Sequence, residues 1–192
     1  TAGQALKMNT AANAPEWGTI SSDFVKIGSG SSSSAATHSI SFQNDAYKTY
    51  QVVIRGFKGN GNVRVRLLDT SNNVISASHY SYVTDGRGTS SGSSGDEQSQ
   101  NYNDDVWKFT DGSNNSSYKF TDMIFWFHNF GETDRYKSAM GFINYWDGTG
   151  WWEARHVHGT YASNEGSKIN GINLFGHNGN TEILNYEVYG LK

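Results

Sequence analysis

The stretch "HVH" places His156 and His158 two residues apart. On a strand that spacing puts both imidazoles on one face, within reach of a single metal ion. Two ligands are too few for a closed site in one chain. Taken three times around a three-fold axis, the pair would give six nitrogens. The spacing specifies no carboxylate partner, and two surface or partly packed histidines are the commoner meaning of an isolated H-x-H pair. Oxygen ligands of the kind calcium takes occur at Asp96/Glu97, Asp104/Asp105 and Glu132/Asp134. No EF-hand spacing joins them, so solvated loop charges are the simpler reading.

Catalytic constellations are weaker still. No spacing singles out a pair of carboxylates for glycoside hydrolysis. There is no G-x-S-x-G elbow to present a serine nucleophile. The chain has no cysteine, which excludes thiol nucleophiles, thiolate zinc sites and disulfides. The expectation is a non-enzymatic protein without a cofactor, an axial metal ion in a trimer being the single exception considered.

Aromatic residues carry more information. Trp146, Trp151 and Trp152 flank a "DGTG" turn. Alternation sends Trp151 and Trp152 to opposite faces, so one can join the core. The other can then stack on a sugar ring or anchor a protein contact, unless a loop buries it. Tyr80 and Tyr82 stand just before a polar segment, Asp85–Asp105, which carries Arg87, Asp96 and Tyr102. Together with the three tryptophans these form the candidate ligand-binding set.

The elements that position them read as strands. In "NVRVRLLD", Val63, Val65 and Leu67 point one way and Arg64 and Arg66 the other. "THSISF" places Ile40 and Phe42 inward. "TYQVVIRGF", "NVISASHYSYV", "YKFTDMIFWFHNF", "YKSAMGFINYW", "WWEARHVHGTY", "INGINLFG" and "ILNYEVYGL" continue the pattern, separated by turn signals. The unbroken "MIFWF" predicts burial on both faces. "GSGSSSSAAT" (28–37) reads as a flexible turn, and the polar segment 85–105 as a long loop without a core. About ten or eleven short strands and no helix predict an all-β, antiparallel β-sandwich.

Composition bounds the function. The chain has 192 residues, 35% hydrophobic but 14% aromatic, with 17% charged residues and a net charge of −3. One domain built on large rings fits these totals. A net negative chain is a poor partner for nucleic acid, and no apolar run approaches the ~20 residues of a membrane helix. The chain begins with Thr and shows no signal peptide, which suggests a fragment or a processed product.

Three segments carry a resemblance. The opening "GQALKMNTAANAPEWGTI" (3–20) resembles the G-Q-x-L-x-x-N…P-x-W segments that precede C-terminal domains of bacteriophage tail-fibre chains. "HSISFQNDAYKTYQVVIRGF" (38–57) is similar to a strand, acidic turn and "Y-x-x-Y-x-V" pattern of phage structural proteins. The ending "INLFGHNGN…YEVYGLK" is similar to the closing strand pair of the same group. The resemblance implies a jelly-roll-like head at 21–192 on a short extended stalk at 1–20. It also implies a homotrimer on the virion, extracellular when acting, that recognises a host-cell surface glycan or protein. The alternatives are a capsid or tail decoration protein packed on other virion proteins, and a non-viral carbohydrate-binding module. Leu6, Met8 and Trp17 are the candidate oligomer contacts of the stalk.

Overall fold

The computed structural model describes residues 4–8, 14–19, 23–42, 46–90, 93–110, 121–146, 152–162 and 167–191. Among the described residues there are 13 strands and no helix. β1 (Gln4–Met8) and β2 (Pro15–Thr19) pair antiparallel as a two-stranded sheet, with Leu6 opposite Trp17 and Met8 opposite Pro15. Leu6 and Met8 are both exposed on one face of β1. The side chain of Trp17 lies outside the described residues.

The remaining strands are β3 (Phe24–Ala35), β4 (His38–Ser41), β5 (Thr49–Leu68), β6 (Val74–Ile75), β7 (Tyr80–Ser90), β8 (Ser93–Asp104), β9 (Trp107–Lys108), β10 (Thr121–His128), β11 (Lys137–Trp146), β12 (Trp152–Tyr161) and β13 (Gly171–Leu191). They form one antiparallel sheet of order β3-β13-β5-β10-β11-β12-β7-β8, curled into a half-barrel. β4 joins it on β13, and β6 and β9 join it on β5. The fold is all-β and sandwich-like.

Two long strands create the second layer. The first half of β5 pairs with β10, whereas Arg64–Leu68 pair with β9 and β6. β13 runs beside β5 throughout, pairing with β4 at Gly171–Leu174 and with β3 over Thr181–Leu191. Both strands therefore pass from one layer into the other, and such corners need irregular backbone. The register of β13 on β5 shifts between Gly176 and Glu182. Gly56, Gly61 and Gly179 there adopt positive φ of 72°, 80° and 73°. At Gly61 a Cβ would also lie 2.6 Å from the Cβ of His177, so only glycine fits the bend.

Alternation then fills the interior. Val63, Val65 and Leu67 are fully buried, as are Val52 and Ile54 before the bend, and Ile40 and Phe42 are nearly so. Large rings compensate for the low hydrophobic fraction. Tyr80, Trp107, Phe109, Phe125, Phe127, Phe130, Phe42 and Tyr50 make a continuous chain, each ring 4.6 to 5.9 Å from the next. Offset and edge contacts of this kind add to the burial of the rings themselves.

Three expectations are corrected. The segment 85–105 is not a coreless loop: Tyr80–Ser90 and Ser93–Asp104 form a β-hairpin. Its Ser, Gly and Asp residues build no core of their own, but their backbone groups pair whatever the side chains are, and β12 templates β7 from the other side. The 28–37 segment is likewise no flexible turn. Gly28–Ala35 belong to β3, an edge strand held by β13 through several register shifts. "MIFWF" is not buried on both faces. Met123, Phe125 and Phe127 are buried, whereas Ile124 and Trp126 are half-buried on the outer face.

Two histidines couple this fold to pH. His38 is buried, its Nε2 2.7 Å from Thr181 Oγ1 and its Nδ1 2.6 Å from Ser32 Oγ. Thr181 Oγ1 donates to the Ala35 carbonyl, so it accepts from His38 Nε2–H. His128 sets Nδ1 3.2 Å from Thr49 Oγ1 and buries Nε2 without a partner. Burial lowers the pKa of both imidazoles. The unfolded chain then binds more protons, so the stability these groups contribute is complete above the unfolded value of about 6.5 and is lost as pH falls below it. Melting temperature is expected to fall between pH 7 and pH 5, and His38→Gln and His128→Gln are each expected to flatten that slope.

Candidate ligand-binding site

The outer face of the β8–β7–β12–β11 quarter gathers most of the candidate residues. Along β12 every second residue is exposed, placing Trp152, Ala154, His156, His158 and Thr160 outward. Antiparallel register then fixes their neighbours. Trp152 lies opposite Trp146 of β11. The next outward rung runs Asp96, Arg87, Ala154, Asn144, and the one after it Gln98, Asp85, His156, Phe142. A further rung holds Gln100, Val83, His158 and Met140.

The small side chain of Ala154 leaves a hollow between its larger neighbours. The result is an open depression of about 530 Å³ lined by Asp85, Gly86, Arg87, Asp96, Gln98, Ala154 and His156. Arg87 Nε donates to Asp96 Oδ1 at 2.9 Å across the hairpin, and this pairing raises the guanidinium pKa further. Both groups are more than two-thirds exposed, so the pair adds little stability and is open to a ligand. On the β11 side, His156 meets Phe142 edge-on at 4.6 Å. Trp152 is 54% exposed and meets Trp146 edge-on at 5.0 Å.

A second depression, of about 240 Å³, is lined by Ser81, Tyr82, Val83, His158 and Thr160. Farther along the same face, Arg55, Ile124, Phe142 and Asn144 border a third depression of about 230 Å³. Glu187 accepts from Lys26 at 2.7 Å and from Arg55 at 2.9 Å, which holds its carboxyl down at about 2.

The candidate set therefore divides. Arg87 and Asp96 line the larger depression, and Trp152, with Trp146 opposite it, stands one rung beyond Ala154 on the same face. Tyr80 is a correction: its ring is fully buried in the aromatic chain, and its hydroxyl accepts from Leu67 N at 3.0 Å and donates to Ile75 O at 2.7 Å. Burial pushes that hydroxyl's pKa well up. Tyr82 is only 8% exposed and borders the smaller depression from beneath. Tyr102 is 76% exposed near the end of β8, the hairpin's returning strand, away from the larger depression. Trp151 and the "DGTG" turn lie outside the described residues, as does the side chain of Glu97. His156 and His158 share a face as expected, and both are exposed. Among the described residues, no group of three or more His, Cys, Asp or Glu is arranged to hold a metal ion.

Asp85, Gln98, Asn144 and Ala154 escaped the sequence reading. Alternation along "WEARHVH" carries a signal for Ala154, but the others emerge only once the hairpin and its register are known. No protein-family model matches this chain, and no curated protein sequence is significantly similar to it.

Proposed function

We propose that this chain is a non-enzymatic, glycan-recognising domain of a bacteriophage tail fibre, acting at the virion surface as a homotrimer, with the β8–β7–β12–β11 outer face as its ligand site. The observation that carries the reading is the exposed Trp152 indole beside a hollow ringed by planar polar groups: the Arg87 guanidinium, the Asp85 and Asp96 carboxylates and the Gln98 amide. Aromatic faces stack on the C–H side of sugar rings, and planar donors and acceptors address adjacent hydroxyls. The virion assignment rests on the three resembling segments, and the exposed Leu6 and Met8 of β1 suit contacts between stalks.

A second reading, a decoration protein seated on other virion proteins, is favoured by Val83, Met140 and Phe142, each more than 40% exposed on the same face. Adsorption separates the two. A receptor binder adheres to susceptible cells and competes with phage infection, whereas a decoration protein binds particles lacking it and ignores cells. For the receptor reading, Trp152→Ala and Arg87→Ala are each expected to weaken cell binding about tenfold or more while leaving the melting temperature within a degree or two. Cell binding unchanged in both variants would move the site elsewhere.

A further inference from the structure

Within the glycan-binding reading proposed above, we infer that the site takes a neutral, linear polysaccharide along its interior rather than a single terminal sugar. The two depressions share one strand pair. The larger is lined on β12 by Ala154 and His156 and the smaller by His158 and Thr160, with Asp85–Arg87 and Ser81–Val83 of β7 beside them. They are therefore consecutive along the strand direction. At about 3.3 Å of rise per residue, the line from Ala154 to Thr160 covers about 20 Å, and Trp152 extends it by one more rung. That length suits several pyranose rings end to end and exceeds one.

The track has banks. On the β11 side, Phe142 and Met140 stand 45% and 41% exposed beside His156 and His158. On the β8 side, Gln98 and Gln100 stand opposite Asp85 and Val83. A chain lying between them meets an indole at one end, polar groups in the hollow, and an apolar floor of Val83 at the other. This mixture matches a sugar chain, whose rings present hydroxyl edges and C–H faces in turn.

Charge selects among such chains. The larger depression holds two carboxylates, Asp85 and Asp96, against one guanidinium, Arg87, which is already paired with Asp96. Asp85 is the surplus charge, so a polymer of uronic or sialic acid units would be repelled. A neutral hexose chain would instead donate hydroxyls to Asp85.

The test uses the intact chain. It is applied to an array of neutral and acidic glycans, then titrated calorimetrically with linear malto-, cello- and manno-oligosaccharides of increasing length and with any neutral glycan the array returns. Affinity is expected to rise about tenfold or more from disaccharide to pentasaccharide and then level off. His158→Ala is expected to weaken the pentasaccharide about threefold or more and leave the disaccharide unchanged. Asp85→Asn is expected to improve the acidic glycans relative to the neutral ones. Binding of a glycan with affinity independent of length, or a preference for acidic chains, overturns the linear neutral-chain inference and leaves glycan recognition standing. Absence of binding to any glycan overturns recognition of sugars itself, and the inference with it.

Discussion

Trp107→Ala is expected to cost about 3–5 kcal/mol, the range for truncating a fully buried large aromatic. The ring is inaccessible to solvent and links parts of the sheet that no backbone bond joins. Its own strand, β9, pairs with β5 through Val65. Its face rests on Gly159 of β12, where a Cβ would lie 2.7 Å from the indole Cε2, and its Nε1 donates to the Thr160 carbonyl at 3.2 Å. Phe109 stacks on it at 5.9 Å and Tyr80 meets it edge-on at 5.4 Å. Alanine would separate Tyr80 from Phe109 in the chain of rings and remove the donor to the Thr160 carbonyl. Domains of this size are stable by only about 5–15 kcal/mol, so the loss is a large share of the total. Denaturant titration checks it. A loss under about 1 kcal/mol would mean that the two parts are not held together here.

Legibility in the sequence tracks burial. Val63, Val65 and Leu67 alternate with arginines in the text and alternate in space, because one face of β5 meets the core. The same cue brings Ile40 and Phe42 inward. It fails for β7 and β8, whose Gly, Ser, Thr and Asp residues carry no apolar signal. Backbone ladders hold that hairpin, and ladders leave no trace in side-chain pattern. The candidate site inherits this limit. Arg87, Asp96 and Trp152 are recognisable as residue types, but only the register across β8, β7 and β12 makes them neighbours. Tyr80 misled for the opposite reason. Its nearness in sequence to a polar segment suggested exposure, whereas it begins β7 with its ring turned into the core.

Arg155→Met is expected to be the most damaging of the charge-removing substitutions, at about 3–5 kcal/mol. Arg155 and Glu153 are i and i+2 on the inner face of β12, with side chains only 1% and 7% exposed. Arg155 Nε donates to Glu153 Oε2 at 2.9 Å, and its Nη1 donates to Thr84 Oγ1 at 3.2 Å. The Tyr145 hydroxyl donates to the same carboxylate oxygen, and the guanidinium lies 5.7 Å from the Tyr145 ring. Removing the guanidinium leaves a buried carboxylate with a tyrosine as its remaining side-chain donor among these contacts. The cost comes from the abandoned charge rather than from the lost pair. Glu153→Leu combined with Arg155→Met is therefore expected to be more stable than Arg155→Met alone. Thermal melts of the four proteins in the cycle check this. Strict additivity of the two single losses would show that the charges do not depend on each other.

The two strands shared between layers also set the order in which the chain can be assembled. β13 is the last of the described strands, yet it is the direct neighbour of β3, β4 and β5. The ion pair between Lys26 and Glu187 joins positions 161 residues apart. Until Gly171–Leu191 arrives, neither β3 nor β4 has a paired strand among the described residues, and one side of β5 stays open. A nascent chain therefore carries exposed strand edges until Gly171–Leu191 is synthesised. Closure across such distances places this domain among slow folders, on millisecond-to-second or longer times. A cut anywhere in β13 removes the seam of both layers at once, so the domain is built to be present whole or not at all.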